Sequence, residues 1–330
     1  MALSATQIQK LIEDDGYPAY FESYDRQQPF YQQIAEVVDI DLAGAPKYGD
    51  KGTSFQNVDR LIEREDGAPI EDSSLNEAHT WQIKIRQYSR RIRIPSRIIM
   101  GNDTQAAREL ISQAAKGWGE NVPLQKDDFV AGMFQKGTLT AGSDRYFDNS
   151  YLKNADPNKG FIYDGKPWFD TEHSRSDGKG TYANHTPVLA LTEENLETVL
   201  QAMTHTNAVD DNGERVNINP THLVVGGAGR MFYTARRILG SIQLPGSANN
   251  DINPMFNELI PVRWRALNDS ASTSAWWVLQ AGKGVRVYDS PLRMRQYQES
   301  NGDLSVIAET FFGGGVTNWR YAYAANKAAA

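Results

Sequence analysis

"FIYDGKPWFDTEHSRSDGKGTYANHTP", residues 161–187, gathers Asp164, Asp170, Glu172, His173, Asp177 and His185 among aromatic residues and glycines. Two readings compete for it. Either it is a metal or acid–base site, or it is a connection whose rings pack and whose polar groups fix turns. Asp170, His173 and His185 offer oxygen and nitrogen ligands, but no HExxH pair on a helix and no calcium-loop spacing accompanies them. A functional constellation also needs a helix or strand to hold it in place, and this loop has the composition of neither. On the residues alone the connection is the better reading.

The chain around this stretch has 330 residues, enough for a substantial core and about two domains. A hydrophobic share of 40% with 23% charged residues describes a globular chain, not a disordered one. The absence of cysteine excludes disulfides, thiolate zinc sites and cysteine nucleophiles. Lys and Arg total 34 against 41 Asp and Glu, a net charge of -7, which opposes a surface built to neutralise many phosphates. No apolar run approaches the roughly 20 residues of a membrane span. The start, "MALSATQIQKLIEDDG", lacks the basic and apolar regions of a signal peptide, so a soluble cytoplasmic protein is expected.

Upstream, Ser4 is a candidate N-cap ahead of Ile8, Leu11 and Ile12, and the rest of residues 1–47 scatters aromatics among Gln and Pro. Such a segment is expected to gain order against another surface. Residues 48–97 read as a long hairpin with a charged tip, because Trp81, Ile83 and Ile85, then Ile92 and Ile94, alternate at period two. One strand bears Arg90, Arg91, Arg93 and Arg97; the tip bears Glu63, Glu65, Asp66, Glu71 and Asp72. Opposite charges on one projecting element suit self-association, an acidic tip of one copy meeting the basic strand of another. Residues 102–136 read as helix capped by Asp103, with Ala106, Leu110, Ala114 and Ala115 on its apolar side and a break or bend at Gly117, Gly119 and Pro123.

Downstream, "VLALTEENLETVLQAM" is a helix capped by Thr192 with a Leu191–Leu196 staple and an apolar face of Leu196, Val199, Leu200 and Met203. "THLVVGG" is a buried strand and "AGRMFYTARRIL" a second helix, joined by a glycine turn that matches neither GxGxxG nor GxxxxGK[ST]. From residue 259 strands alternate with turns; Gly313, Gly314 and Gly315 read as a hinge or bulge. No GxSxG elbow is present, and His79, His205 and His222 have no evident nucleophile beside them. The whole is an α+β chain without repeats.

The order of these elements resembles the major capsid proteins of tailed bacteriophages, most closely the Mu-like major head subunit family. The likeness is carried by "YDGKPWFDTEH" at 163–173, "PTHLVVGGAGRMFYTARRIL", "AWWVLQ" and the closing "FFGGGVTNWRYAYAA". Trp168, the Gly226–Gly227 pair and a hairpin without a Trp-Gly-Glu-Arg run depart from that family's usual pattern. The resemblance implies the Hong Kong-97-type fold: an N-terminal arm (1–47), an E-loop (48–97), a P-domain with a spine helix and connecting loop (98–187), an A-domain (188–290) and returning strands (291–330). It implies a structural protein, not an enzyme, that assembles with itself into pentamers and hexamers of an icosahedral shell around a phage genome. Scaffold, portal and decoration proteins are implied as further partners, with packaged double-stranded DNA touched weakly and no membrane or cofactor involved. The place implied is the virion capsid, assembled in the bacterial host cytoplasm. Within the motif, Tyr163, Asp164, Gly165, Trp168, Phe169 and His173 are expected to be structural. Glu63, Glu65, Asp66, Arg90, Arg91, Arg93 and Arg97 are expected to meet across subunits. An encapsulin-like nanocompartment shell shares the implied fold and is one alternative; a metal-dependent hydrolase built on the 164–185 loop is another.

Overall fold

The computed structural model describes residues 3–27, 29–40, 49–55, 77–143, 145–156, 158–174, 180–210, 215–227, 229–243, 251–299 and 303–327. In chain order the helices are α1 (Ala5–Leu11), α2 (Tyr17–Tyr24), α3 (Tyr31–Ile34), α4 (Ser96–Met100), α5 (Thr104–Lys136), α6 (Glu193–Gln201) and α7 (Met231–Gly240). The strands are β1 (Glu36–Asp39), β2 (Gly49–Phe55), β3 (Glu77–Lys84), β4 (Arg86–Ile94), β5 (His173–Ser174), β6 (Thr181–Tyr182), β7 (His185–Thr186) and β8 (His222–Gly226). They continue with β9 (Ile260–Trp264), β10 (Trp276–Leu279), β11 (Val285–Asp289), β12 (Arg293–Gln298), β13 (Leu304–Val316) and β14 (Ala322–Ala325).

Two five-stranded sheets organise the molecule. The first runs β1-β11-β13-β12, with β4 paired to β13 as well, and the second runs β7-β14-β10-β8-β9. Both faces of the second are covered. Val224, Trp277, Leu279 and Ala324 face a core shared with α5, while Leu223, Val225, Trp276 and Val278 face α6 and α7. That double burial is why "LVV" and "WWVL" are continuous apolar runs with no polar alternation.

α5 is a single 33-residue helix that links two cores. Its first half buries Ala107, Ile111 and Ala115 against α1 and α2; its second half buries Phe129, Val130, Met133 and Phe134. The buried stripe is displaced by one position from the expected one, leaving Ala106, Leu110 and Ala114 half-buried. Asp103 caps the helix as expected, accepting from the Ala106 N–H at 3.0 Å. The helix does not break there: it continues through Pro123, which is itself buried beside Val122. Proline in a helix interior costs about 3 kcal/mol, and packing along both halves of the helix offsets it.

Ser4 forms the expected cap as a full capping box with Gln7, and Ile8, Leu11 and Ile12 are buried. The rest of the described part of this segment, through residue 40, packs on its own chain instead of waiting for another surface. α2 lies against α5, Tyr17 exchanges hydrogen bonds with the Met294 backbone at 3.0 and 2.9 Å, and β1 pairs with β11. Of its scattered aromatics Tyr20 and Tyr31 are buried within the same chain, Tyr17, Tyr24 and Phe30 are half-buried, and Phe21 is exposed.

The reading of 48–97 as one hairpin is also corrected. The hairpin arms are β2 and β3, and β4 leaves them to pair with β13 from Leu304↔Ile94 to Phe312↔Arg86. The apolar pattern carries the physical reason. Trp81, Ile83 and Ile85 occupy odd positions and Ile92 and Ile94 even ones, so a single strand would place the two sets on opposite faces. The chain breaks its pairing at Ile85 instead. The sheets thus cut across the implied boundaries: the first takes β4 from 48–97 and β11 from 188–290, and the second takes β14 from 291–330.

Gly313 and Gly315 are neither hinge nor bulge, since they pair in unbroken register with Tyr288 and Arg286. They let β3 cross closely over β13. A Cβ at Gly313 would lie 2.2 Å from the Lys84 carbonyl oxygen, and one at Gly315 2.5 Å from the Ile83 side chain.

Candidate functional site

The described parts of the 161–187 stretch, 161–174 and 180–187, fold onto the shared core. Asp164 starts a tight turn: its Oδ1 accepts the Lys166 N–H at 3.1 Å, and Gly165 sits at φ +77°, where a side chain would be strained. Beyond the turn, Trp168 stacks on Phe169 with centroids 4.3 Å apart, and Phe134 of α5 meets Trp168 edge-on at 4.6 Å. The Phe169 N–H donates to the Gly137 carbonyl at 3.0 Å, fastening the turn to the end of α5. Tyr163 is buried, and its hydroxyl accepts the Trp319 N–H at 3.3 Å.

His173 is fully buried at the centre. Its Nδ1 lies 2.6 Å from Asp164 Oδ2, and its Nε2 lies 3.0 Å from Asn184 Oδ1 and 3.2 Å from the Trp168 carbonyl. Asn184 Nδ2 donates to the carbonyls of Trp168, Trp319 and Ala322 at 2.8, 3.3 and 3.2 Å, and Asn184 Oδ1 accepts the Asp170 N–H at 2.9 Å. Those contacts fix the amide's orientation. Both ring nitrogens of His173 therefore face acceptor oxygens, Asp164 on one edge of the ring and Asn184 with the Trp168 carbonyl on the other. The ring also stacks on Trp319 at 4.2 Å and 7°. The Arg320 guanidinium lies 4.6 Å from the same indole.

This arrangement binds together parts of the chain that are far apart in sequence and leaves neither ring nitrogen of His173 open to a ligand. The hydrolase reading of Asp170, His173 and His185 does not fit it. Asp170 Oδ1 accepts the Glu172 N–H at 2.8 Å, and His185 Nε2 is spent on the Lys327 carbonyl at 2.8 Å. Among the described residues no three His, Asp or Glu side chains are placed to share an ion. Sequence reasoning named Asp164 and His173 but missed Asn184 and Trp319, the groups that close the cluster. Asn184 stands beside His185 in the same stretch, and a side-chain amide among buried aromatics was the available signal.

Burial pushes the His185 pKa below its usual 6.5, and burial acts the same way on His222 at the start of β8. For both, the unfolded chain holds its proton more tightly than the folded one. Their contribution to stability is complete above about pH 6.5 and is lost as pH falls from there toward the depressed folded values. Denaturant titrations are expected to show the unfolding free energy falling below pH 6.5, with a shallower slope for His185→Gln. An unaltered slope in that variant would contradict this account.

The arginines of β4 divide by face. Arg91 and Arg93 converge on one carboxylate, Glu299, at 2.8 and 3.4 Å. Arg293 and Arg295 of β12 are exposed on the same face, Arg295 lying 3.4 Å from Glu309. Arg90 is on the other face and lines a groove of about 620 Å³ with Tyr88, Trp118 and Val122. Arg97 is exposed on α4. Glu63, Glu65, Asp66, Glu71 and Asp72 lie outside the described residues. Among the described residues no helix is long and apolar enough to cross a membrane.

No protein-family model matches this chain, and no curated protein sequence does. Solved structures do match. A chain of the capsid structure of the cyanophage P-SCSP1u aligns at a TM-score of 0.51 and 12% identity, covering 91% of this chain and 88% of that one. A chain of the bacteriophage JBD30 capsid aligns at a TM-score of 0.48 and 17% identity, covering 73% of this chain and 92% of that one. The α+β fold is the tailed-phage capsid fold of Hong Kong-97 type that the sequence motifs suggest.

Proposed function

We propose that this chain is a major capsid protein, a structural subunit that assembles with itself into pentamers and hexamers of an icosahedral shell enclosing a phage genome. The observation that carries the reading is the extent of the fold match, which takes in nine-tenths of the chain and leaves no additional catalytic module to explain. The closed Asp164–His173–Asn184 cluster supports a structural role for the one stretch that looked catalytic. The proposal places the protein in the virion capsid after assembly in the bacterial host cytoplasm. Scaffold, portal and decoration proteins are its further partners. A net charge of -7 suits an inner wall that touches packaged double-stranded DNA only weakly.

Negative-stain electron microscopy with sedimentation, across protein concentration and salt, tests this directly. Closed shells or free five- and six-membered rings are expected. A monomer under every condition would overturn the reading.

The same proposal includes contacts between the acidic 63–66 segment of one subunit and the basic strand of another. Glu299 neutralises one of the two charges on Arg91 and Arg93, so that face keeps an excess of positive charge for an incoming carboxylate. Reversing both arginines to glutamate is expected to lower particle yield several-fold and to reduce salt tolerance, whereas Glu299→Gln, which breaks only the internal pairs, leaves assembly intact. Unchanged yield and salt tolerance in the double reversal would refute the contact.

A further inference from the structure

The two flanks of the second sheet carry opposite charge. At one edge stands β9 with Arg263, followed by Arg265, and α7 packs on β8 and β9 with Tyr233, Arg236 and Arg237 toward solvent. Arg230, just before α7, adds a fifth cation. Among the described residues Arg230, Arg236, Arg237 and Arg265 make no ion pair. Glu258 and Asp251 on the approach to β9 reduce the positive excess without reversing it.

At the other edge stands the two-residue β7, followed by Val188, which is 85% exposed. The start of α6 is pinned over β10 and β14, because Trp276 Nε1 donates to the Leu189 carbonyl at 2.8 Å and the Leu189 N–H donates to Asn326 Oδ1 at 3.3 Å. From there α6 turns Glu194, Glu197, Thr198 and Gln201 outward, the i, i+3, i+4, i+7 positions of one face, with Glu193 beside them. The charges are segregated by the fold. Five strands spaced about 4.8 Å apart put the sheet edges roughly 19 Å from one another. That exceeds the screening length of about 8 Å in physiological salt, so the two flanks cannot neutralise each other within one molecule.

We infer that the basic α7–β9 flank of one copy docks against the acidic α6–β7 flank of the next, head to tail, in a closed ring. This rests on the shell reading above. A second copy is the occupant that the surface itself specifies, because each molecule carries both the patch and its complement. Each flank also presents an exposed apolar side chain, Tyr233 on one and Val188 on the other. A nucleic-acid surface has no use for the matching carboxylates. A heterologous contact of this kind closes into a ring when its rotation divides a full turn, and complementary rim charge sets register and excludes wrong neighbours.

The test uses two double variants, Arg236→Glu/Arg237→Glu and Glu194→Arg/Glu197→Arg, whose sites are exposed. Both are expected to unfold at the wild-type temperature, yet to need at least tenfold more protein for half-assembly at low salt. Combining all four changes is expected to restore assembly. So is mixing the two double variants, since each then presents two like flanks to a partner with two opposite ones. Alternation requires an even number of copies, so the mixture is expected to give six-membered rings and no five-membered ones by electron microscopy. Wild-type shells with double variants that assemble normally would overturn this inference alone, and a four-fold variant that folds but stays unassembled would do the same. Normal assembly with lost binding to a double-stranded DNA fragment would mark the flank as a nucleic-acid surface and equally refute the ring contact. A wild-type protein that never assembles would remove both the shell reading and this one.

Discussion

His173→Ala is expected to lower the unfolding free energy by roughly 3–5 kcal/mol, because it deletes a fully buried ring from the core and leaves a buried carboxylate without its hydrogen-bond partner. The Asp164 carboxylate, with its side chain 4% exposed, would be left facing a void without its hydrogen-bond partner. Asn184 Oδ1 would lose a donor, and Trp319 would lose the ring stacked on it, worth about 0.5–1.5 kcal/mol beyond area burial. The pairing account makes a sharper statement than the size of the loss. Asp164→Ala and His173→Ala should be strongly non-additive, since each removes the buried hydrogen-bond partner of the other. A double-mutant cycle by chemical denaturation is expected to return a coupling of about 1–3 kcal/mol. Effects that simply add would mean that His173 acts through packing alone.

Local chemistry was legible in the sequence, and long-range pairing was not. The caps at Ser4, Asp103 and Thr192 could be read because an N-cap hydrogen bond reaches only three residues along the chain. The buried strand β8 and the face of α6 followed from composition and period. The stripe of α5 missed by one position because Ala106 and Ala107, and Leu110 and Ile111, are adjacent apolar pairs, and periodicity alone cannot choose between two neighbouring faces. The partner of β4 lies more than two hundred residues away in β13, and nothing local announces it. Only the change of phase between Ile85 and Ile92 hinted that one strand was really two. The candidate stretch was half readable in the same sense. Its glycine turn and aromatic content indicated structure, but the stack of His173 on Trp319 depends on a contact between residues far apart in the sequence.

The second large effect is expected at Lys126, in a part of α5 whose sequence, "KDDF", looks solvent-exposed. Lys126 is instead 3% exposed; it pairs with Asp289 at the end of β11 and donates to the Ser290 carbonyl at 3.0 Å. Tyr31 of α3 donates to the other oxygen of Asp289 at 2.7 Å. Burial first, and the Asp289 charge second, push the Tyr31 phenol far above its usual range, so it stays a donor wherever the protein is folded. The next residue, Asp127, accepts from the Tyr31 N–H at 3.0 Å and from Trp264 Nε1 at 2.8 Å, so two adjacent side chains of one helix tie α3, β9 and β11 together. Lys126→Met alone leaves Asp289 buried with no cation and is expected to cost about 3–5 kcal/mol. Replacing the whole set, Lys126→Met with Asp289→Leu and Tyr31→Phe, leaves no polar group unpaired and is expected to recover most of that loss, because a buried pair's desolvation nearly cancels its attraction. The two measurements separate strength from direction. If the triple variant is as stable as wild type but assembles less accurately, the ion pair serves to hold α3 and α5 in one register; if it is as unstable as the single variant, the pair itself is a net source of stability and the cancellation argued here is wrong.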